Sequence, residues 1–273
     1  MLLCVFEIVF GQMEIKIYQV DAFTSKLFGG NPAAVCPLKE WLSNDDMQKI
    51  ASENNLSETA FYVSKGDEFE LKWFTPKAEV NLCGHATLAT AFVIFEIEKT
   101  NQEVLKFHTL SGVLTVVKTQ KGFTMNFPAD VFNKTSITDK IIEAIGKVPS
   151  GAYHGRNVLM VVLNSEKELL EISPDPEKVK RLHPHGLIIT APGEKVDFVS
   201  RCFFPNYGIK EDPVTGSAHT ILTPYWAHRF KKNDLTALQL SERRGELNCK
   251  LVNDRVEISG EAFLYMEGKV LIY

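Results

Sequence analysis

Three stretches of the chain bring together groups able to move protons or hold anions. Asn81-Leu82-Cys83-Gly84-His85 sets a thiol, a glycine and an imidazole just ahead of Ala86 to Ile97, a run in which only Thr87, Thr90 and Glu96 are polar. A helix apolar on nearly every side belongs inside a core. Its first turn then offers unpaired backbone N–H groups and a positive dipole end, which suit an anion or a nucleophile. Thr215-Gly216-Ser217-Ala218-His219-Thr220 repeats the glycine and alanine spacing and opens a second hydrophobic run. The third stretch, Leu56-Ser57-Glu58-Thr59-Ala60-Phe61, enters a strand. Glu58 there either alternates outward to solvent or points inward, where desolvation raises its pKa and makes it a usable acid/base.

The elements that position these residues are legible as patterns. Glu14 to Ala22 alternates as a strand, and Phe28-Gly29-Gly30-Asn31-Pro32 is a glycine-bearing turn into a second, buried one. Asn31 at that junction either serves the turn or faces a ligand. Ser43 caps an amphipathic helix, with Asp46 three residues on, that ends near Asn54-Asn55. Strands follow at Phe69 to Phe74, then, past the apolar helix, at Val104 to Phe107, Val113 to Lys118 and Phe123 to Phe127. A sheet curled around the helix is the way to cover all its faces.

Pro128-Ala129-Asp130 marks a boundary, beyond which the order of elements repeats. A helix at Thr138 to Ile145 and strands near Val158 to Leu163, Gly186 to Thr190 and Val196 to Phe204 precede the second glycine-led helix, and Phe203-Phe204-Pro205 echoes Phe74-Thr75-Pro76. The repeat implies similar halves facing each other, 13–128 and 129–261, with 262–273 available to complete the first. Pro224 inside Ser217 to Phe230 predicts a kinked or broken helix. The tail reads as hairpins, with separate strands at Ala262 to Glu267 and Lys269 to Tyr273. Residues 1–12 read as an extension or a mis-called start, since Met13 directly precedes the first patterned strand.

Composition limits the partners. Thirty lysines and arginines against 34 aspartates and glutamates give a net charge of −4, and 45% of residues are hydrophobic. This suits a soluble α+β globular protein with no general affinity for nucleic acid or anionic membrane, whose partners are small molecules or other proteins. Five well-separated cysteines without a C-x-x-C pair read as reduced thiols in a cytoplasmic protein. His183-Pro184-His185 has no nearby cysteine or acid and makes no metal case.

Taken together and in order, Val20-Asp21-Ala22-Phe23, Gly30-Asn31-Pro32-Ala33-Ala34-Val35, Asn55-Leu56-Ser57-Glu58-Thr59-Ala60-Phe61, Trp73-Phe74-Thr75-Pro76, Leu82-Cys83-Gly84-His85-Ala86-Thr87 and Glu211-Asp212-Pro213-Val214-Thr215-Gly216-Ser217-Ala218-His219 resemble the phenazine-biosynthesis-like (PhzF) family, most closely its phenazine-biosynthesis-like domain proteins. The resemblance implies the diaminopimelate-epimerase-like fold: two pseudo-symmetric halves, each a curled mixed sheet around a central helix, with the active site between them. It also implies a cofactor-independent isomerase. In the phenazine-pathway member a glutamate, here Glu58, moves a proton between carbons of a dihydro-hydroxyanthranilate without metal or organic cofactor.

By the same resemblance, Gly84, His85, Thr215, Gly216 and Ser217 offer N–H and hydroxyl donors to a substrate carboxylate and developing enolate. His85 and Asp212 position the substrate or relay its proton, and Asn31 and Ser57 line the pocket. The bland readings are a helix cap for His85, a turn for Asp212 and an N-cap for Ser217. Cys83 departs from the phenazine isomerase, so identical specificity is not implied. Epimerases of this fold use a thiol at each helix start, whereas the position matching Cys83 is Thr215. A racemase using Cys83 and a non-catalytic binding module are the alternatives to the isomerase. The family further implies homodimerisation, for which the sequence carries no signature.

Overall fold

The computed structural model describes residues 13–272. The expectation for residues 1–12 lies outside that range. The first half carries strands β1 (Met13–Ala22), β2 (Asn31–Leu38), β3 (Glu58–Lys65), β4 (Glu68–Phe74), β5 (Glu79–Val80), β6 (Val104–Thr109), β7 (Gly112–Thr119) and β8 (Gly122–Pro128). The second carries β9 (Asn133–Thr135), β10 (Gly151–His154), β11 (Leu159–Val162), β12 (Leu187–Pro192), β13 (Phe198–Phe204), β14 (Ile209–Asp212), β15 (Asp234–Gln239), β16 (Gly245–Val252) and β17 (Arg255–Gly260). The last strand, β18 (Ala262–Ile272), returns to the first half and pairs along β1. The helices are α1 (Asn44–Asn54), α2 (Gly84–Phe92), α3 (Asp139–Ile145), α4 (Glu166–Glu171), α5 (Pro176–Leu182) and α6 (His219–Phe230).

Strand pairing gives the pseudo-symmetry. From β18 the first-half order is β18, β1, β2, β3, β4, β6, β7, β8, parallel only at β2–β3 and β4–β6. From β9 the second-half order is β9, β10, β11, β12, β13, β15, β16, β17, parallel only at β11–β12 and β13–β15. The short strands β5 and β14 pair beside β4 and β13 at matching places. An antiparallel β8–β17 ladder joins the halves. This is the mixed, doubled epimerase-like architecture expected from the motifs, with α2 in one half and α6 in the other.

Both central helices are apolar because their surroundings are. Every residue of α2 from His85 to Ala91 is buried, and its two threonines satisfy their hydroxyls by donating to carbonyls four residues back, Thr87 to Cys83 at 2.6 Å and Thr90 to Ala86 at 2.7 Å. The helix loosens into a π-turn, Val93–Ile97, where Glu96 reaches Lys118 at the surface.

Three details of the chain differ from their sequence patterns. The second central helix begins at His219, after a 3₁₀ turn at Gly216–Ala218, instead of at Ser217. Pro224 does not break it. The proline removes the N–H that would bond the Thr220 carbonyl, and the Asp130 backbone N–H, from the crossover between halves, takes that carbonyl at 2.9 Å. The C-terminal pair of strands is one strand, since Gly268 pairs directly with Ile17 and makes no turn. Among the described residues no helix is long and apolar enough to cross a membrane.

Candidate active site

The two glycine-led helix starts meet. A Cβ built on Gly84 would lie 3.8 Å from the Gly216 Cα, so these backbones pack against each other across the pseudo-twofold. Cys83 and Thr215 are the residues that precede them, each in extended conformation at the cap position. The first turns of both segments therefore line one cavity of about 150 Å³, walled by Glu58, Cys83, Gly84, His85 and Phe127 from the first half and Phe204, Asp212, Thr215, Gly216 and Ser217 from the second.

Glu58 opens β3 in parallel register with Ala33. It shares a strand face with Ala60 and Tyr62, which pack in the core around α2, whereas Phe61 on the other face packs with α1. Its side chain is 13% exposed, with Oε2 3.2 Å from His85 Nε2. Burial, reinforced by the negative Asp212 and opposed by a hydrogen bond with Cys83, raises the carboxyl from 4.5 to about 7. Burial also lowers His85 to about 3, so it stands as a neutral imidazole and its contact with Glu58 is no ion pair. Neither Glu58 Oε2 nor His85 Nε2 has a well-aligned hydrogen-bond partner. Two buried polar atoms are thus left able to engage a bound molecule.

Asp212 is held by neutral donors. Its carboxylate accepts from Asn31 Nδ2 at 2.9 Å and from the Thr215 hydroxyl. Burial raises it to about 6, and those two hydrogen bonds limit the rise. Asn31 also donates to the Val214 carbonyl at 2.9 Å, so one fully buried amide ties β2 to both ends of the Asp212–Val214 turn. The Asn31 backbone is placed by Gly30, whose φ of +63° and a would-be Cβ 2.1 Å from the Ala22 carbonyl oxygen admit only glycine. Arg243 crosses from the second half to donate to the carbonyls of Gly29 and Gly30 and to the buried Asp21 carboxylate at 2.8 Å.

Cys83 is buried, its Sγ 3.5 Å from His85 Nδ1. Burial and the adjacent Glu58 charge push its thiol well above the usual range, so it remains protonated. The Thr215 hydroxyl, its counterpart across the pseudo-twofold, is engaged with Asp212. Glu58, Cys83 and His85 each place a donor atom within 4.8 Å of one another, a spacing that a soft cation could bridge only by displacing this hydrogen-bonded arrangement.

Asn31 and Ser57 are not in the cavity wall: Asn31 lies behind it, gripping Asp212, and Ser57 is half-buried just before Glu58. Gln239 carries no signature in the sequence. Its wholly buried side chain accepts the Thr215 N–H at 2.8 Å and donates to the Asp212 carbonyl at 2.8 Å, fixing the second helix start from β15. In Leu238-Gln239-Leu240 nothing distinguishes such a glutamine from an outward polar residue of a strand.

Comparison with known proteins places the fold in a class and the chain in a family. The fold recurs in a hydroxyproline epimerase of Agrobacterium vitis, 9% identical over 95% of this chain and 93% of that one, at a TM-score of 0.59. Residues 20–268 match the phenazine biosynthesis-like protein family. An uncharacterized isomerase of Pseudomonas aeruginosa is 48% identical over 94% of this chain and 98% of its own, and a phenazine biosynthesis-like domain-containing protein of Bos taurus is 41% identical over 94% and 99%. A crystal structure of a PhzF-family protein from Enterococcus faecalis superposes at a TM-score of 0.92, with 46% identity over 94% of this chain and 99% of that one. The chain belongs to the phenazine biosynthesis-like (PhzF) family, and with relatives this similar named as isomerases it is an enzyme of that class.

Proposed function

We propose that the enzyme moves a proton between carbons of a small carboxylate-bearing substrate, with Glu58 as acid and base and no cofactor in the step. The carrying observation is a nearly dry carboxyl, raised to about 7, aimed into the cavity on which both helix starts converge. At neutral pH such a group is divided between its two protonation states. As carboxylate it takes a proton from a carbon next to the substrate's carboxylate or carbonyl. The electron pair of that C–H bond delocalises onto the adjacent oxygen as an enolate, to which the Gly84, His85, Gly216 and Ser217 N–H groups donate. As carboxylic acid Glu58 returns the proton to another carbon, the double bond shifts, and the enzyme is restored.

Neutral His85 lies beside the carboxyl, its Nε2 3.2 Å from Glu58 Oε2 and open to the substrate, and Asp212 lines the opposite wall. Two-thiol racemisation finds little support, because Thr215 stands where a second cysteine would be needed and its hydroxyl is committed to Asp212. The test is solvent deuterium incorporation, followed by proton NMR, across a panel of enolisable 2-keto acids and cyclic enol acids. Glu58→Gln is expected to abolish incorporation, while Cys83→Ala slows it without abolishing it. Loss in Cys83→Ala with retention in Glu58→Gln would overturn the assignment in favour of thiol chemistry.

A further inference from the structure

The cavity around Glu58 is too small for a whole metabolite. At about 150 Å³ it has room for roughly five waters at about 30 Å³ each, enough for a carboxylate and the reacting carbons. Sites for small organic ligands commonly run from about 300 Å³ upward. A groove of about 410 Å³ adjoins it and shares Leu82, Phe127, Phe204 and Ser217 with its wall. The groove also lies between the halves. Beyond the shared residues it is mostly apolar, with Leu114 from the first half and Ile188 and Ile221 from the second.

Among the described residues one lysine or arginine lines either space, and it is Arg156, in the groove alone. Its loop is pinned. The Arg156 backbone N–H donates to the Asp130 carboxylate at 3.1 Å, Val131 N–H does so at 2.8 Å, and a Cβ on Gly155 would meet Ile221 at 2.6 Å. Asp130, the groove's acidic residue, is therefore engaged with backbone. Its nearest approach to the guanidinium is 3.8 Å, beyond hydrogen-bond reach, and the Arg156 side chain is 65% exposed. The guanidinium keeps its donors for a ligand.

We infer that the groove is a second substrate subsite, selecting an acid whose apolar, ring-sized body extends from the reacting carbons to a second anionic group held by Arg156. This reading rests on the Glu58 site as the place of reaction, since it assigns the substrate's first carboxylate to the paired helix starts. Two acidic walls, Glu58 and Asp212, make a cation at the far end the feature that favours a doubly anionic substrate over a singly anionic one.

The test is calorimetric binding of two unreactive probes, 3-phenylpropionate and 3-(4-carboxyphenyl)propionate, to the wild type, Arg156→Ala and Glu58→Gln. The second carboxylate is expected to tighten wild-type binding at least tenfold. In Arg156→Ala that advantage should fall below about threefold while 3-phenylpropionate binds as before. Equal affinity for the two probes in the wild type, no binding of either, or an advantage that survives Arg156→Ala would overturn the inference. Deuterium exchange retained by Glu58→Gln would defeat the catalytic assignment instead, leaving the probe contrast at Arg156 standing.

Discussion

Replacing Glu58 by glutamine should make the folded protein more stable at alkaline pH while removing its chemistry. In the folded state the carboxyl titrates at about 7 against an ordinary value of 4.5. Between those two pH values the folded chain binds the proton more tightly than the unfolded one, so stability falls as pH rises through the window. A displacement of that size corresponds to roughly 3 kcal/mol of stability that is fully lost above pH 7. Glutamine keeps the shape and sheds the penalty. Glu58→Gln should therefore match the wild type within about 1 kcal/mol at pH 4.5 and exceed it by up to about 3 kcal/mol at pH 8.5, a Tm rise of roughly 5–10 °C for a chain of this size. Thermal unfolding of both proteins across pH 4.5–8.5 reads this directly. A stability difference that stays constant with pH would show that the carboxyl is solvated, and the reasoning that makes it an acid/base would fail.

Other substitutions test how the site is held. Asn31→Ala leaves Asp212 and the Val214 carbonyl without their donor, which should cost about 2–4 kcal/mol by urea unfolding and slow exchange. Arg243→Ala strands the buried Asp21 carboxylate, with an expected loss of about 3 kcal/mol. Asp21 is already raised by burial and Arg243 restrains that rise, so the loss should be larger at pH 7 than at pH 4; a pH-independent loss would remove the ion pair from the account. Gly30→Ala forces a side chain into the Ala22 carbonyl at positive φ, and a Tm unchanged within 2 °C would contradict that geometry, since roughly 2–4 kcal/mol is expected.

Much of the architecture was legible because periodicity and helix boundaries state it. The all-round apolar character of Ala86 to Ile97 required a helix enclosed by sheet, and the repeated glycine spacing at Gly84 and Gly216 required a second one. Glu58 was undecidable from alternation. That rule assumes one wet face, and β3 is buried on both: Ala60 and Tyr62 pack toward α2 and Phe61 toward α1. The family motifs pointed Glu58 inward, and the geometry gives the reason. Gln239 and Arg243 were silent because each acts through contacts more than twenty residues away in sequence, and neither residue type announces a partner. That the helix continues unbroken through Pro224 was illegible for the same kind of reason, since the N–H that answers for its missing bond comes from Asp130 in the crossover between halves.

The central claim is that one carboxyl carries the proton. Its most direct measurement is the rate of solvent deuterium incorporation into an exchanged acid from the panel, followed by NMR from pH 5 to 9 in the wild type and in Glu58→Gln. The wild-type rate should change through a midpoint near 7, and the Glu58→Gln rate should stay at the uncatalysed background throughout. Enzyme-dependent exchange surviving in Glu58→Gln would contradict it.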